Sequence, residues 1–274
     1  MKAAVYIGVG SAGADSRLEI MLAELRTAGW DIKVLSKESD SLDDCDFLLS
    51  VGGDGTFLAA SALSVSSGVP IVGVNLGRVG FLSENKPQDV AKALLSGDYE
   101  IEERTVLSAS IEGHVSEGTE EFWPYAFNEF TVHRNGAAML GIDVDVNGVS
   151  LPTYWADGLI VSTSSGSTAY SLSAGGPIVL PESKVLIITP IAPHNLNIRP
   201  LVIPDTATVS FRVHSRDKKV LFTADTRTME IDEDTLIRMS VAQFSLKRVR
   251  LNSSNFINAL TEKLFWGEDA RNIK

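Results

Sequence analysis

The chain has 274 residues, 44% of them hydrophobic and 22% charged, with a formal net charge of −11. That length suggests one or two domains with an adequate core, and the acidic balance disfavours nucleic acid and anionic lipid as partners. A single cysteine, Cys45, excludes an intrachain disulfide and fits a reducing cytoplasm; the sequence reads without a leader pattern or an apolar run of the ~18 residues that span a bilayer.

Residues 3–9 form an apolar run, predicted as a buried strand. Gly8-Val9-Gly10-Ser11-Ala12-Gly13 follows with dinucleotide-loop spacing, which a plain strand-to-helix turn explains better. Leu18, Met21, Leu22 and Leu25 fall at helical spacing over 14–28, and Gly29 stands where a C-cap belongs. Strands are predicted at 31–35, 46–51 and 70–74, with helices at 56–67 and 87–96, the latter closed by Gly97. Strands alternating with helices argue for a parallel sheet.

The pattern changes near residue 99. Ile142, Val144 and Val146 alternate with polar residues, and Asn147-Gly148 is a hairpin signal. Further strands are predicted at 158–163, 185–189, 207–213, 219–223, 235–241 and 244–251. A last helix, capped by Ser253 or Ser254, carries Phe256, Ile257, Leu260 and Leu264 on one face. It needs a surface to cover, and the first domain is the expected one. The predicted architecture is therefore α/β plus all-β. A Rossmann-like parallel-sheet domain (1–103, joined by the terminal helix 252–274) precedes a larger, sandwich-like β domain (104–251).

Gly52-Gly53-Asp54-Gly55-Thr56 joins an apolar strand to a helix, at the sheet edge where ligands bind. Glycines permit close approach to a phosphate, and a helix N-terminus offers free N–H groups; Thr56 is placed to cap that helix. An acid inside such a loop is unexpected, because a carboxylate repels phosphate unless it meets a metal ion or a hydroxyl. The loop is neither a P-loop nor a Rossmann fingerprint. No Cys/His cluster suggests a zinc site, and His114, His133, His194 and His214 read as structural or surface residues.

The loop resembles that of the NAD kinase family, the ATP- or polyphosphate-dependent enzymes. So do Asn75-Leu76-Gly77-Arg78-Val79-Gly80-Phe81-Leu82, the pair Asn128-Glu129, the stretch from Asp157-Gly158 to Gly175-Gly176-Pro177, and residues 187–203. Ordered motifs over residues 48–204 are far more specific than any one of them. The resemblance implies transfer of the γ-phosphoryl group of ATP to the 2′-hydroxyl of the adenosine ribose of NAD, with Mg²⁺ accompanying ATP and no metal held by the protein alone. The product is NADP. It implies Asp54 as the group that contacts that hydroxyl, with Gly55 beside it. Asn128, Glu129, Asp157, Ser165, Thr168, Ala169, Tyr170, Ser171, Leu172, Ser173 and Ala192 are the further substrate contacts. Gly52, Gly53, Thr56, Arg78 and Arg227 are candidates for phosphate contact. Trp155, where the family sometimes has a basic residue, reads as a packing residue. Ser164-Ser165 replace the family's Pro-Thr, and Arg227 stands where the family commonly has Gln. The resemblance also implies a cytoplasmic homodimer or homotetramer. A related sugar or lipid kinase, or an inactive dinucleotide sensor, is the alternative.

Overall fold

The computed structural model describes residues 1–8, 15–35, 41–77, 80–112 and 122–264. Its contacts divide the chain into two units, residues 1–103 with 246–274, and residues 104–245.

The first unit opens as an α/β alternation. It runs through β1 (Lys2–Ile7), α1 (Ser16–Thr27), β2 (Asp31–Val34), β3 (Phe47–Val51), α2 (Asp54–Ser67), β4 (Ile71–Val74), α3 (Pro87–Ser96) and β5 (Tyr99–Arg104). Asp15 caps α1 by accepting the Arg17 N–H at 2.9 Å, and Gly29 follows the helix at φ +86°. Proline starts α3 and Gly97, at φ +75°, ends it. Strands β2, β1, β3 and β4 pair in parallel in that order. All five residues of β3 and all four of β4 are buried, as expected of strands covered on both faces. Leu18, Met21, Leu22 and Leu25 of α1 pack with Val90, Ala91 and Leu94 of α3 in one core with the sheet.

The second unit is an antiparallel sandwich with short helical insertions. Its strands are β6 (Leu107–Glu112), β7 (Tyr125–Ala126), β8 (Glu129–Arg134), β9 (Leu140–Val146), β10 (Val149–Ser150), β11 (Tyr154–Ala156) and β12 (Gly158–Thr163). A 3₁₀ turn (Ser165–Thr168) and α4 (Tyr170–Ser173) come next. Strands β13 (Val185–Ile191), β14 (Leu201–Pro204), β15 (Val209–His214), β16 (Lys219–Ala224), β17 (Arg227–Asp232) and β18 (Leu236–Val241) complete it. One sheet runs β10-β9-β15-β18-β6-β7, with β11 also on β9; the other runs β14-β13-β12-β8-β16-β17. Ile142, Val144 and Phe211 from the first sheet share a core with Val132, Leu159 and Phe222 from the second, so the two sheets face each other. Asn147 and Gly148 both take positive φ, 54° and 83°, in the tight turn between β9 and β10, the conformation that Asn-Gly favours.

The chain then returns to the first unit with β19 (Leu246–Leu251) and α5 (Phe256–Leu264). The sequence pattern placed 244–251 in the β domain. Instead, β19 lies between β4 and β5 and runs parallel to β4. Its local pattern is that of any half-buried strand and carries no mark of which sheet it joins. Arg248 on β19 is buried and ion-paired with Glu84 at 2.5 Å. Helix α5 packs back on the first unit, with Phe256 against Phe81 at 6.0 Å between ring centres. Its cap differs from the expected one. Asn255 accepts the Ile257 and Asn258 N–H groups, while the Ser254 hydroxyl donates to Asn85 Oδ1 at 2.8 Å.

Candidate active site

In the first unit, β3 delivers the chain to Gly52, whose φ of +151° favours glycine. A Cβ at Gly52 or at Gly8 would strike the Thr56 side chain. Thr56 is therefore packed beneath the glycines and does not cap the helix, as its sequence position suggested. Helix α2 already begins at Asp54, with Gly53 as its N-cap and no side-chain cap bond. Gly53 and Gly55 face open space.

Asp54 reaches to the turn after β4. Its Oδ2 accepts the Phe81 N–H at 2.8 Å, and its Oδ1 accepts those of Leu82 and Ser83 at 3.0 and 2.9 Å. Gly80 is required there, because a Cβ would collide with Asp54 Oδ1. Asn75 ties the same turn, donating to the Ser83 carbonyl at 2.8 Å and accepting the Gly77 N–H at 2.7 Å. A carboxylate offers about four acceptor sites. Three are used, two of them on Oδ1, so the remaining capacity lies on Oδ2. Arg78, and Val9–Gly13 of the early glycine motif, lie outside the described residues.

In the second unit, Asn128 and Glu129 enter β8 fully surrounded. The carboxylate of Asp225, held at φ +52°, accepts the N–H groups of Phe127, Asn128 and Glu129 at 2.8, 2.8 and 3.2 Å. Burial pushes the Glu129 carboxyl up to about 8, and the Asp225 charge adds to the rise; a backbone N–H from Tyr170 opposes it. Burial also raises Asp225, but its three N–H bonds and Arg227 favour the anion. Three N–H groups on Asp225 against one on Glu129 favour the charge on Asp225 and the proton on Glu129. Asn128 Oδ1, Glu129 Oε2 and, from the residue paired opposite, Ser162 Oγ are buried without hydrogen-bond partners. Unsatisfied buried oxygens cost about 1–3 kcal/mol each, and all three lie where β8 and β12 pair.

The Ser/Thr-rich stretch closes over this pair. Thr163 N–H donates to the Asn128 carbonyl at 2.9 Å, and Gly166 packs so tightly on Asn128 that a Cβ would clash with its backbone. Ser165 is buried, Thr168 and Ala169 are half-buried, and Tyr170 is 41% exposed. Several hydroxyls serve the protein itself. Ser167 exchanges hydrogen bonds with Val179, and Ser171 pairs with Thr189 at 2.8 Å. Leu172 is half-buried and Ser173 exposed at the end of α4.

Asp157 and Ala192 sit elsewhere. Gly158 pairs with His133 and Ile191, whereas Ser162 pairs with Glu129. At ~3.3 Å per residue, Asp157 lies roughly 15 Å along β12 from the Glu129 level. Arg134 binds the Asp157 carboxylate at 3.0 Å. Ala192 is exposed, at φ +45°. Trp155 on β11 is not a core residue; it is 48% exposed, with its ring across Gly141. Arg227 donates to the Trp123 and Tyr125 carbonyls and stacks on Trp123 with 4.7 Å to the ring centre, so its guanidinium is committed within the β unit. His214, read as a structural or surface residue, is held between Asp143 at 2.8 Å and Asp234 at 2.7 Å.

Two contributors escaped the sequence reading. Asp225 is the anchor of the Asn-Glu pair, through backbone N–H groups that no local pattern in the sequence points to. Lys263 on α5, whose ammonium donates to the Gly80 carbonyl, carried no signal beyond the helix's amphipathic pattern. Among the described residues, no group of three or more His, Cys, Asp or Glu gathers as a metal site, and no helix is long and apolar enough to cross a membrane.

Comparison with known proteins gives a consistent result. Residues 24–97 match the ATP-NAD kinase N-terminal domain model and residues 127–251 the C-terminal domain model. The chain is 39% identical to an NAD kinase of Flavobacterium psychrophilum over 262 residues, covering 94% of this chain and 88% of that one. It is 40% identical to one of Flavobacterium johnsoniae over 256 residues, covering 92% and 86%. An NAD kinase from Archaeoglobus fulgidus, solved in complex with ATP, superposes with a TM-score of 0.78 at 28% identity, covering 97% of this chain and 99% of that one. A yeast NADH kinase superposes at 0.86 and 22% identity, covering 100% and 90%, which speaks to the fold alone. With both domain models matched in order and relatives near 40% identity along most of its length, the chain belongs to the ATP-NAD kinase family.

Proposed function

We propose that this chain transfers the γ-phosphoryl group of ATP to the 2′-hydroxyl of the adenosine ribose of NAD. The new bond joins the 2′-oxygen to Pγ, the bond from Pγ to the β–γ bridging oxygen breaks, and ADP leaves. The hydroxyl proton passes to Asp54 or solvent late in the transfer. The observation that carries this reading is the fixed Asp54 carboxylate, with acceptor capacity left on one oxygen only. Phosphoryl transfer has a loose transition state and relies on positioning and charge stabilisation. Asp54 serves it by aiming the hydroxyl in line, more than by acting as a strong base. Gly53, Gly55 and the first turn of α2 suit the approach of a phosphate. Asn128, Glu129, Ser165 and Tyr170 suit the ribose and base of the dinucleotide.

Mg²⁺ belongs here with the donor as Mg–ATP, where it neutralises phosphate charge. Asp54, already engaged by three N–H groups, supports no more than an outer role toward it. The distance of Asp157 and Ala192 from Glu129 along β12 supports a homo-oligomer in which they serve a neighbouring copy's substrate. The lone Cys45, half-buried, suits a reducing cytoplasm.

Incubation of the pure protein with Mg–ATP and NAD, with enzymatic detection of NADP, tests the reading. NADP should form, and Asp54→Asn should lower kcat by about 10²-fold or more. Wild-type NADP production no higher than that of the Asp54→Asn variant overturns it. For the oligomer, mixing Asp54→Asn with Asp157→Asn protein should restore part of the activity; no recovery refutes sharing between copies.

A further inference from the structure

A lysine ammonium loses hydration when packed against carbon, so a half-buried one needs compensating contacts. Lys263 points its ammonium at the Gly80 carbonyl and lies 3.8 Å from the centre of the Phe81 ring. Desolvation pulls its pKa down to about 8. Asp54 on α2, Glu84 after the turn and Glu262 on α5 oppose the fall, and Arg248 on β19 reinforces it.

The contact has a direction. The Gly80 carbonyl and the Phe81 N–H belong to one peptide group. On one side, that peptide accepts from Lys263; on the other, it donates to Asp54 Oδ2. Hydrogen bonds in a chain polarise one another, so a cation on the carbonyl strengthens the N–H as a donor. The oxygen so addressed is the one with acceptor capacity left for a substrate hydroxyl.

We propose that Lys263 is a positioning residue for phosphoryl transfer, fixing and polarising the Gly80–Phe81 peptide and through it setting the direction of Asp54 Oδ2. This rests on the reading of Asp54 given above.

The full-length Lys263→Met, Lys263→Arg and Asn255→Ala variants test it by steady-state kinetics, pH profiles and thermal melting. Lys263→Met should lower kcat by roughly tenfold to a hundredfold with little change in KM for NAD. Wild-type kcat should fall as pH rises past about 8. Lys263→Arg should recover most of kcat and lose that alkaline limb, because guanidinium stays charged. Asn255→Ala, which removes the α5 cap but not the ammonium, should lower the melting temperature and leave kcat intact. The proposal is overturned by an unchanged kcat in Lys263→Met, by no recovery in Lys263→Arg, by an alkaline limb that persists in it, or by an Asn255→Ala loss of kcat equal to that of Lys263→Met. If the wild type makes no NADP, or Asp54→Asn matches it, the reading of Asp54 fails and takes this inference with it. An active wild type, an inactive Asp54→Asn and an unaffected Lys263→Met defeat the inference alone.

Discussion

Glu129 links proton binding to folding. In the unfolded chain its carboxyl titrates near 4.5, and in the fold near 8. Between those values the native state holds a proton that the unfolded state has released. Stability from this residue is therefore full below about 4.5 and declines as pH rises toward 8. Glu129→Gln keeps the neutral shape, so it should melt close to wild type at pH 5 and several degrees above it at pH 9, as read by calorimetry. Equal melting at both values removes the proton from Glu129. His214 runs the same way for a different reason. Its bonds to Asp143 and Asp234 raise its pKa, so the stability it adds is present below its unfolded value of about 6.5 and is lost as pH passes the higher folded one. Because these groups are well exposed, the gain is small. NMR titration of the ring should show a midpoint above 6.5, and one at or below it contradicts the pairing.

The turn at Gly80–Ser83 shows what a sequence can and cannot disclose about an element. The glycines and the acid of the Gly52–Thr56 loop were legible, and so was the β domain from the alternation of Ile142, Val144 and Val146. The grip on Asp54 was not. It is made by the N–H groups of Phe81, Leu82 and Ser83, and any residue but proline carries that donor. The Asp225 cage around Phe127–Glu129 was hidden likewise. Lys263 meets Gly80 across 183 positions, a separation that no local pattern encodes. What the letters do report in this turn is a glycine, Gly80, where a side chain would strike Asp54. Gly80→Ala should push Asp54 aside and lower NADP formation by about 10²-fold with a small change in melting temperature; wild-type turnover in this variant would show that the grip is dispensable.

At the scale of the molecule, the two units differ in how the chain builds them. The sandwich is one continuous stretch, 104–245, whereas the α/β unit is assembled from both ends of the chain. A 104–245 fragment should fold alone, with a cooperative melt and a β-type circular dichroism spectrum. A 1–103 fragment should not, because without β19 the buried strand β4 has a bare edge. A cooperative melt from 1–103 alone would refute this. The position of β19 also fixes an order of events at the ribosome. The sheet begun first is finished last, only after the whole sandwich has been translated. At about 5–20 residues per second, that is a delay on the order of ten seconds. Throughout that interval the apolar segment Ile71–Val74 lacks the strand it pairs with in the finished sheet. An apolar strand left open in this way is a site for strand addition by another chain, so the exposure of Ile71–Val74 ends only when Leu246–Leu251 has been made.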